Sequence, residues 1–188
     1  FPDTAEEWVL SGPHFFVGNP LYKTPRAECT KNADYDILDL TDLPDDYLPR
    51  TNYVPACSKE EYERRTPKVP WGGRPVTEHY KVAFRKMISS GLERTLSGAI
   101  VPKHVSHIDS CFSIHLKDIY DLIIFSCNCF SIPFDFFIKI TGKSNFRDEL
   151  ARFFPLLRHS SDSLISRTLV LTCLTTYYAS LWSTCWQD

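Results

Sequence analysis

Thr95-Leu96-Ser97-Gly98-Ala99-Ile100-Val101-Pro102 reads as a β-strand that stops at its proline, because Pro102 has no amide to continue a ladder. Upstream, residues 77–90 place Tyr80, Phe84, Met87 and Ile88 at helical spacing. Thr77 suits the cap of that helix, Glu78 its first turn and Gly91 its stop, while Lys81, Arg85 and Lys86 occupy the opposite face. Downstream, Phe112, Ile114 and Leu116 alternate on one face of a second strand over residues 111–116. Leu116, Ile119, Tyr120, Ile123, Ile124 and Cys127 fit a helix. Residues 133–140 fit either state: their aromatic and β-branched content favours a strand, and a first-turn Pro133 permits a helix. Asn145 is expected to cap a short helix reaching Leu150, and Asp162 or Ser163 to start a long last helix ending near Trp186. The expected fold class is therefore α+β: a mixed sheet packed by several helices, with a long C-terminal helix.

Ten of the 13 prolines lie in residues 1–75, so that part is expected to be an irregular, Pro-rich arm of extended segments and turns. Residues 76–188 form the regular body, and the arm is expected to pack on it. The chain has 188 residues, 43% hydrophobic and 23% charged, which excludes a disordered tail and allows a full core. Only seven glycines occur, four of them before position 76, which argues against a fold built on Gly-rich phosphate turns. The seven cysteines follow no framework spacing, so reduced thiols and a cytoplasmic setting are expected. The chain starts at Phe1 without a signal-like segment, which predicts either processing or a piece of a longer protein. Residues 168–187 carry no charge, but their threonines and serines make them too polar for a membrane span, and a helix buried against protein is expected.

The net charge is −2, yet the middle of the chain is polarised. Residues 34–63 hold nine acids against Arg50 and Lys59, and residues 64–103 hold nine bases against Glu78 and Glu93. The two runs either pair with each other or leave one basic face for a polyanion. In the basic run Arg64, Arg65, Lys68, Arg74, Lys81, Arg85, Lys86, Arg94 and Lys103 are interleaved with Trp71, His79 and Tyr80. Lys and Arg on one face neutralise phosphates, and Arg also reads guanine edges bidentately. Other chemistries fit less well. Gly18-Asn19-Pro20-Leu21-Tyr22 is close to the Asn-Pro-Pro-aromatic tetrapeptide of amino-group methyltransferases, but Leu21 stands in the second proline's place and no Gly-rich loop precedes it. His104, His107 and Cys111, or Cys127 and Cys129, offer nitrogen and sulfur ligands at spacings that match no usual zinc pattern. No nucleophile motif and no convincing nuclease pattern is present, so no catalytic residues are assigned.

Two blocks add to this reading. One is Glu93-Arg94-Thr95-Leu96-Ser97-Gly98-Ala99-Ile100-Val101-Pro102. The other runs from Leu122 through Ser126 and Phe134-Asp135-Phe136-Phe137-Ile138-Lys139 to Thr141-Gly142-Lys143 and Phe154-Pro155-Leu156. Together with Gly12-Pro13-His14-Phe15, Lys23-Thr24-Pro25-Arg26 and the segment from Asp45 to Tyr53, they resemble the target-recognition region of large adenine-specific DNA methyltransferases. These include type IIG restriction–modification enzymes and related phage-defence methylases. The resemblance covers about residues 10–157. It implies an α+β region that reads double-stranded DNA, is non-catalytic alone, and adjoins the methyltransferase domain of its parent chain. The cofactor-binding Gly motif and the full Asn-Pro-Pro-Tyr are not in this sequence, so S-adenosylmethionine is expected in the parent protein and no cofactor or metal in this fragment. Phosphate contacts are then expected from Lys81, Arg85, Lys86 and Lys103, base-edge contacts from Arg74, Arg94 and the loop of His104 and His107, and a further DNA contact from Lys143. The alternative is a protein-interaction module whose basic face docks an acidic partner. No membrane is expected.

Overall fold

The computed structural model describes residues 1–157 and 162–186; Gln187, the end of the uncharged stretch, lies outside them. As its prolines require, the arm holds only short elements: β1 (Val9–Leu10), β2 (Lys23–Pro25), β3 (Tyr35–Ile37) and α1 (Lys59–Arg65). β2 and β3 pair as an antiparallel hairpin. Ser58 caps α1, and Glu61 in its first turn holds both Arg64 and Arg65, so the acidic and basic runs meet in ion pairs at their junction.

Beyond residue 75 the regular part begins with β4 (Lys81–Arg85), β5 (Gly98–Val101), β6 (Ser106–His107) and β7 (Cys111–Ile114). β4 is the centre of a three-stranded antiparallel sheet between β5 and β7, with Val82 facing Ile100 on one side and Ile114 on the other. This corrects the helix expected over residues 77–90. Tyr80, Val82 and Phe84 alternate into the core, and the alternation prevails because the strand is covered on both faces. Met87, an inward residue in the helical reading, is 78% exposed. β5 and β7 lie within the strands expected for residues 95–101 and 111–116.

The helices are α2 (Ile119–Phe130), α3 (Ile132–Ile140), α4 (Asp148–Ala151), α5 (Asp162–Thr172) and α6 (Ala179–Cys185). Asp118 caps α2 by accepting from the amides of Tyr120 and Asp121, so the helix starts three residues after Leu116. Residues 133–140 resolve as helix, with Pro133 in the first turn of α3 where its missing N–H costs nothing. Asn145 does not cap α4; it bridges to Met87, and Arg147 precedes the helix. The single long last helix is also corrected. It breaks after Thr172, and a 3-10 turn at Thr176–Tyr178 separates α5 from α6. Thr168 and Thr172 return their hydroxyls to carbonyls one turn back, and Tyr178 turns inward to donate to the Ile100 carbonyl at 2.7 Å.

Two apolar clusters meet at the sheet. Helices α2, α5 and α6 cover the face of Tyr80, Val82 and Phe84. The arm covers the other face, placing Trp8, Leu10, Phe15, Leu21 and Leu48 against Ala83, Ala99, Val101 and Val105. The sheet is tight enough to require glycine at position 98, where a Cβ would stand 2.5 Å from the Phe84 ring and 3.1 Å from the Ala83 carbonyl. Gly98→Ala is expected to destabilise the fold by about 1–3 kcal/mol through overpacking, measured by urea unfolding. An unchanged midpoint would mean that Phe84 moves aside freely.

Candidate nucleic-acid interface

Strand geometry redirects the basic stretch. Lys81 and Arg85 share a face of β4, but that face meets the arm. Lys81 is 2% exposed; its amine donates to the Val105 carbonyl at 2.5 Å, and burial pushes its pKa down to about 7. Arg85 donates to the carbonyls of Gly12 and Phe15 at 2.8 and 3.0 Å, fastening the arm to the sheet. Lys86 is paired with Asp109 at 2.5 Å. These positions do not form the exposed phosphate-binding helix expected of Lys81, Arg85 and Lys86.

Arg94 is likewise internal. Its guanidinium donates to the carbonyl of Phe130 at 2.8 Å, at the end of α2. Its Nε lies 3.4 Å from the Asp135 carboxylate, which also accepts from the amides of Thr95 and Leu96 at 2.8 and 2.7 Å. The two sequence blocks thus interlock: Asp135 on α3 holds the chain entering β5, and Arg94 reaches back to the α2–α3 junction. Arg94 is a fastening residue in this structure rather than a free base-edge donor. His107 is half-buried, with Nε2 2.9 Å from the Ser113 hydroxyl and Nδ1 3.1 Å from the Ile108 carbonyl. Burial lowers its pKa. Lys143 is on another part of the surface, 3.7 Å from Glu149.

Arg74, Lys103 and His104 remain: the fold brings them to one rim, where Arg74 lies 3.7 Å from Glu78 and His104 3.9 Å from Glu6, both pairs exposed enough to be weak. Residues 67–76 form a small hairpin: the Val69 amide donates to the Arg74 carbonyl at 2.9 Å, and the Val76 amide to the Pro67 carbonyl at 2.8 Å. Buried Val69 anchors it. Next to its foot, the His104 amide donates to the Thr77 carbonyl at 2.5 Å, with His104 in the left-handed region at φ 70°. Lys103 lies over the Tyr80 ring, 5.0 Å from its centroid. Between them His79 meets Trp71 edge-on, ring centroids 6.0 Å apart. Burial lowers the pKa of His79, Glu78 opposes the shift, and the charges of Lys103, Arg74 and Lys81 add to it.

Of these residues His104 also lines a cleft of about 970 Å3 between the chain start, α1 and the hairpin foot. Glu6, Glu7, Glu63 and Glu78 line it, with Lys59 bound to Glu6 and His104 at the edge. A neighbouring cavity of about 510 Å3 shares Glu6 and His104 and reaches Lys103. Such a surface offers cationic donors at its edge and carboxylate acceptors within. The hairpin was not anticipated, although Pro67, Gly72-Gly73 and Pro75 mark turn-prone positions.

Asn19 and Cys111 are engaged inside the fold. The Asn19 side chain accepts from the Leu21 amide at 2.9 Å, closing a local turn instead of presenting a free acceptor. Cys111 is buried, and burial raises its thiol pKa to about 11. Among the described residues no group of three His, Cys, Asp or Glu side chains is placed to hold a metal ion. Among them also, no single helix is long and apolar enough to cross a membrane; the α2–α3 pair passes on length and composition but is bent by 65°. On α3, Ile132, Phe136 and Ile140 form an exposed stripe four residues apart. Compared with protein-family models, curated proteins and solved structures, the chain matches none of them.

Proposed function

We propose that this chain is the DNA target-recognition domain of an adenine-specific DNA methyltransferase or restriction–modification protein of the phage-defence kind, non-catalytic by itself and working in the cytoplasm. The observation that carries the reading is the gathering of Arg74, Lys103 and His104, with His79 and Trp71, on one rim. Phosphates would meet Lys103 and His104, and the Arg74 fork would reach base edges. The sequence resemblance supplies the reaction class, and the interlock of its two blocks through Arg94 and Asp135 gives those residues a physical task in the same fold. S-adenosylmethionine would be bound by the methyltransferase domain of the parent chain. The exposed stripe of Ile132, Phe136 and Ile140 favours a protein contact as well, and it is where that domain would seat.

The test is duplex binding followed by fluorescence anisotropy across a salt series. A steep slope is expected, lowered by about one in Lys103→Ala, while Arg74→Ala relaxes the preference among duplex sequences. Tighter binding of an acidic polypeptide than of duplex, lost in Arg74→Ala with Lys103→Ala, would favour the acidic-partner alternative.

A further inference from the structure

Gly72 is a glycine without an internal reason. Its φ is not in the left-handed region, unlike Gly73 at φ 65°, and a Cβ at Gly72 would meet nothing within 4 Å. A side chain there would restrict the unfolded chain without straining the folded one, so the fold itself would tolerate or prefer alanine. Glycine in such a place leaves room for a body outside the chain to approach the backbone. The hairpin around it is built for contact. Pro67, Pro70 and Pro75 stiffen it, and the bond between Val69 and Arg74 closes it. Residues 68–74 carry Lys68 and Arg74 and no acid. The Arg74 side chain is 75% exposed; it pairs with the Glu78 carboxylate at 3.7 Å, a long contact that leaves most of its donor fork to solvent.

We propose that the hairpin tip, Trp71-Gly72-Gly73-Arg74, enters a groove of duplex DNA, with the glycine backbone lying close to the groove wall and Arg74 donating to a base edge. This rests on the DNA reading above and adds the element that inserts. Entry by a preformed loop requires clearance at the tip, which Gly72 provides, and a donor beside it, which Arg74 provides.

The experiment compares the whole chain with its Gly72→Ala, Gly72→Val, Arg74→Ala and Gly91→Ala variants, measuring thermal stability and duplex binding together. Gly72→Val is expected to lower duplex affinity by about tenfold without lowering Tm, and Gly72→Ala to do so more weakly. Arg74→Ala should weaken binding and flatten the preference among duplex sequences, and Gly91→Ala should bind as the parent does. If the parent binds with a steep salt slope while the Gly72 and Arg74 variants bind like it, the tip is not the inserting element and the DNA reading stands. If the parent binds no duplex at protein concentrations above roughly 10−4 M, both fall. A Gly72→Ala variant with lowered Tm would show that the glycine serves the fold, and would overturn the inference.

Discussion

Asp135→Ala should destabilise the protein by about 3–5 kcal/mol, because it leaves two buried amides and a half-buried guanidinium without their shared acceptor. At this chain length that corresponds to a fall in Tm of roughly 6–20 °C. Asp135→Asn keeps an oxygen for the amides of Thr95 and Leu96 but removes the charge opposite Arg94, and it should cost about half as much. Arg94→Met should cost less than Asp135→Ala, since the carboxylate retains both amides. In the double variant the losses should not add, because the two side chains share one network. Urea unfolding of the four proteins measures this. A loss below about 0.5 kcal/mol for Asp135→Ala would place the residue with ordinary surface positions and remove the structural account of the paired blocks.

Lys81→Met should do the opposite and stabilise. The Lys81 amine has its pKa pushed by burial to about 7 from an ordinary 10.5. Between those values the unfolded chain holds the proton and the folded chain does not, so stability rises with pH at about 1.4 kcal/mol per unit. The stabilisation is full above the unfolded value and is lost as pH falls toward 7. From pH 7.5 to 9.5 the gain should be roughly 2–3 kcal/mol, and Lys81→Met should remove that slope. At pH 7.5 the variant should be more stable by roughly 2–4 kcal/mol, after loss of the hydrogen bond to Val105. Methionine fills a similar volume against Ala83 and Val105. A parent protein whose stability is flat across this range would mean that Lys81 stays protonated, with water reaching its amine. The same variant should leave duplex binding unchanged, in contrast to the double variant at Arg74 and Lys103.

Legibility in the sequence followed the locality of the cause. The α+β class, the strand ending at Pro102, the alternation of Phe112 and Ile114, and the apolar helix over Ile119–Phe130 are local patterns, and they recur in the fold. β4 was missed because Tyr80, Phe84 and Ile88 satisfy a helical period as well. Val82, between Tyr80 and Phe84, carried the competing period of two. Its weight became clear only with the arm and the helices covering both faces of the strand. The break in the last helix depends on Tyr178 finding the Ile100 carbonyl, a partner distant in sequence. The site divides the same way. The charges of Lys86 and Arg94 were visible, but Asp109 and Asp135, which engage them, are brought near only by folding. Arg74 and His104 were named for their chemistry, and their convergence rests on the hairpin foot at Thr77. His79 gains its place there from its contact with Trp71.

Amide hydrogen exchange, with and without duplex DNA at low salt, tests the rim most directly. Bound DNA should slow exchange across residues 67–80 and 102–105 and leave α3 unchanged. Slowing confined to Ile132–Ile140, or slowing that leaves the hairpin and the Lys103–His104 turn untouched, would contradict the assignment of that rim as the DNA-reading surface.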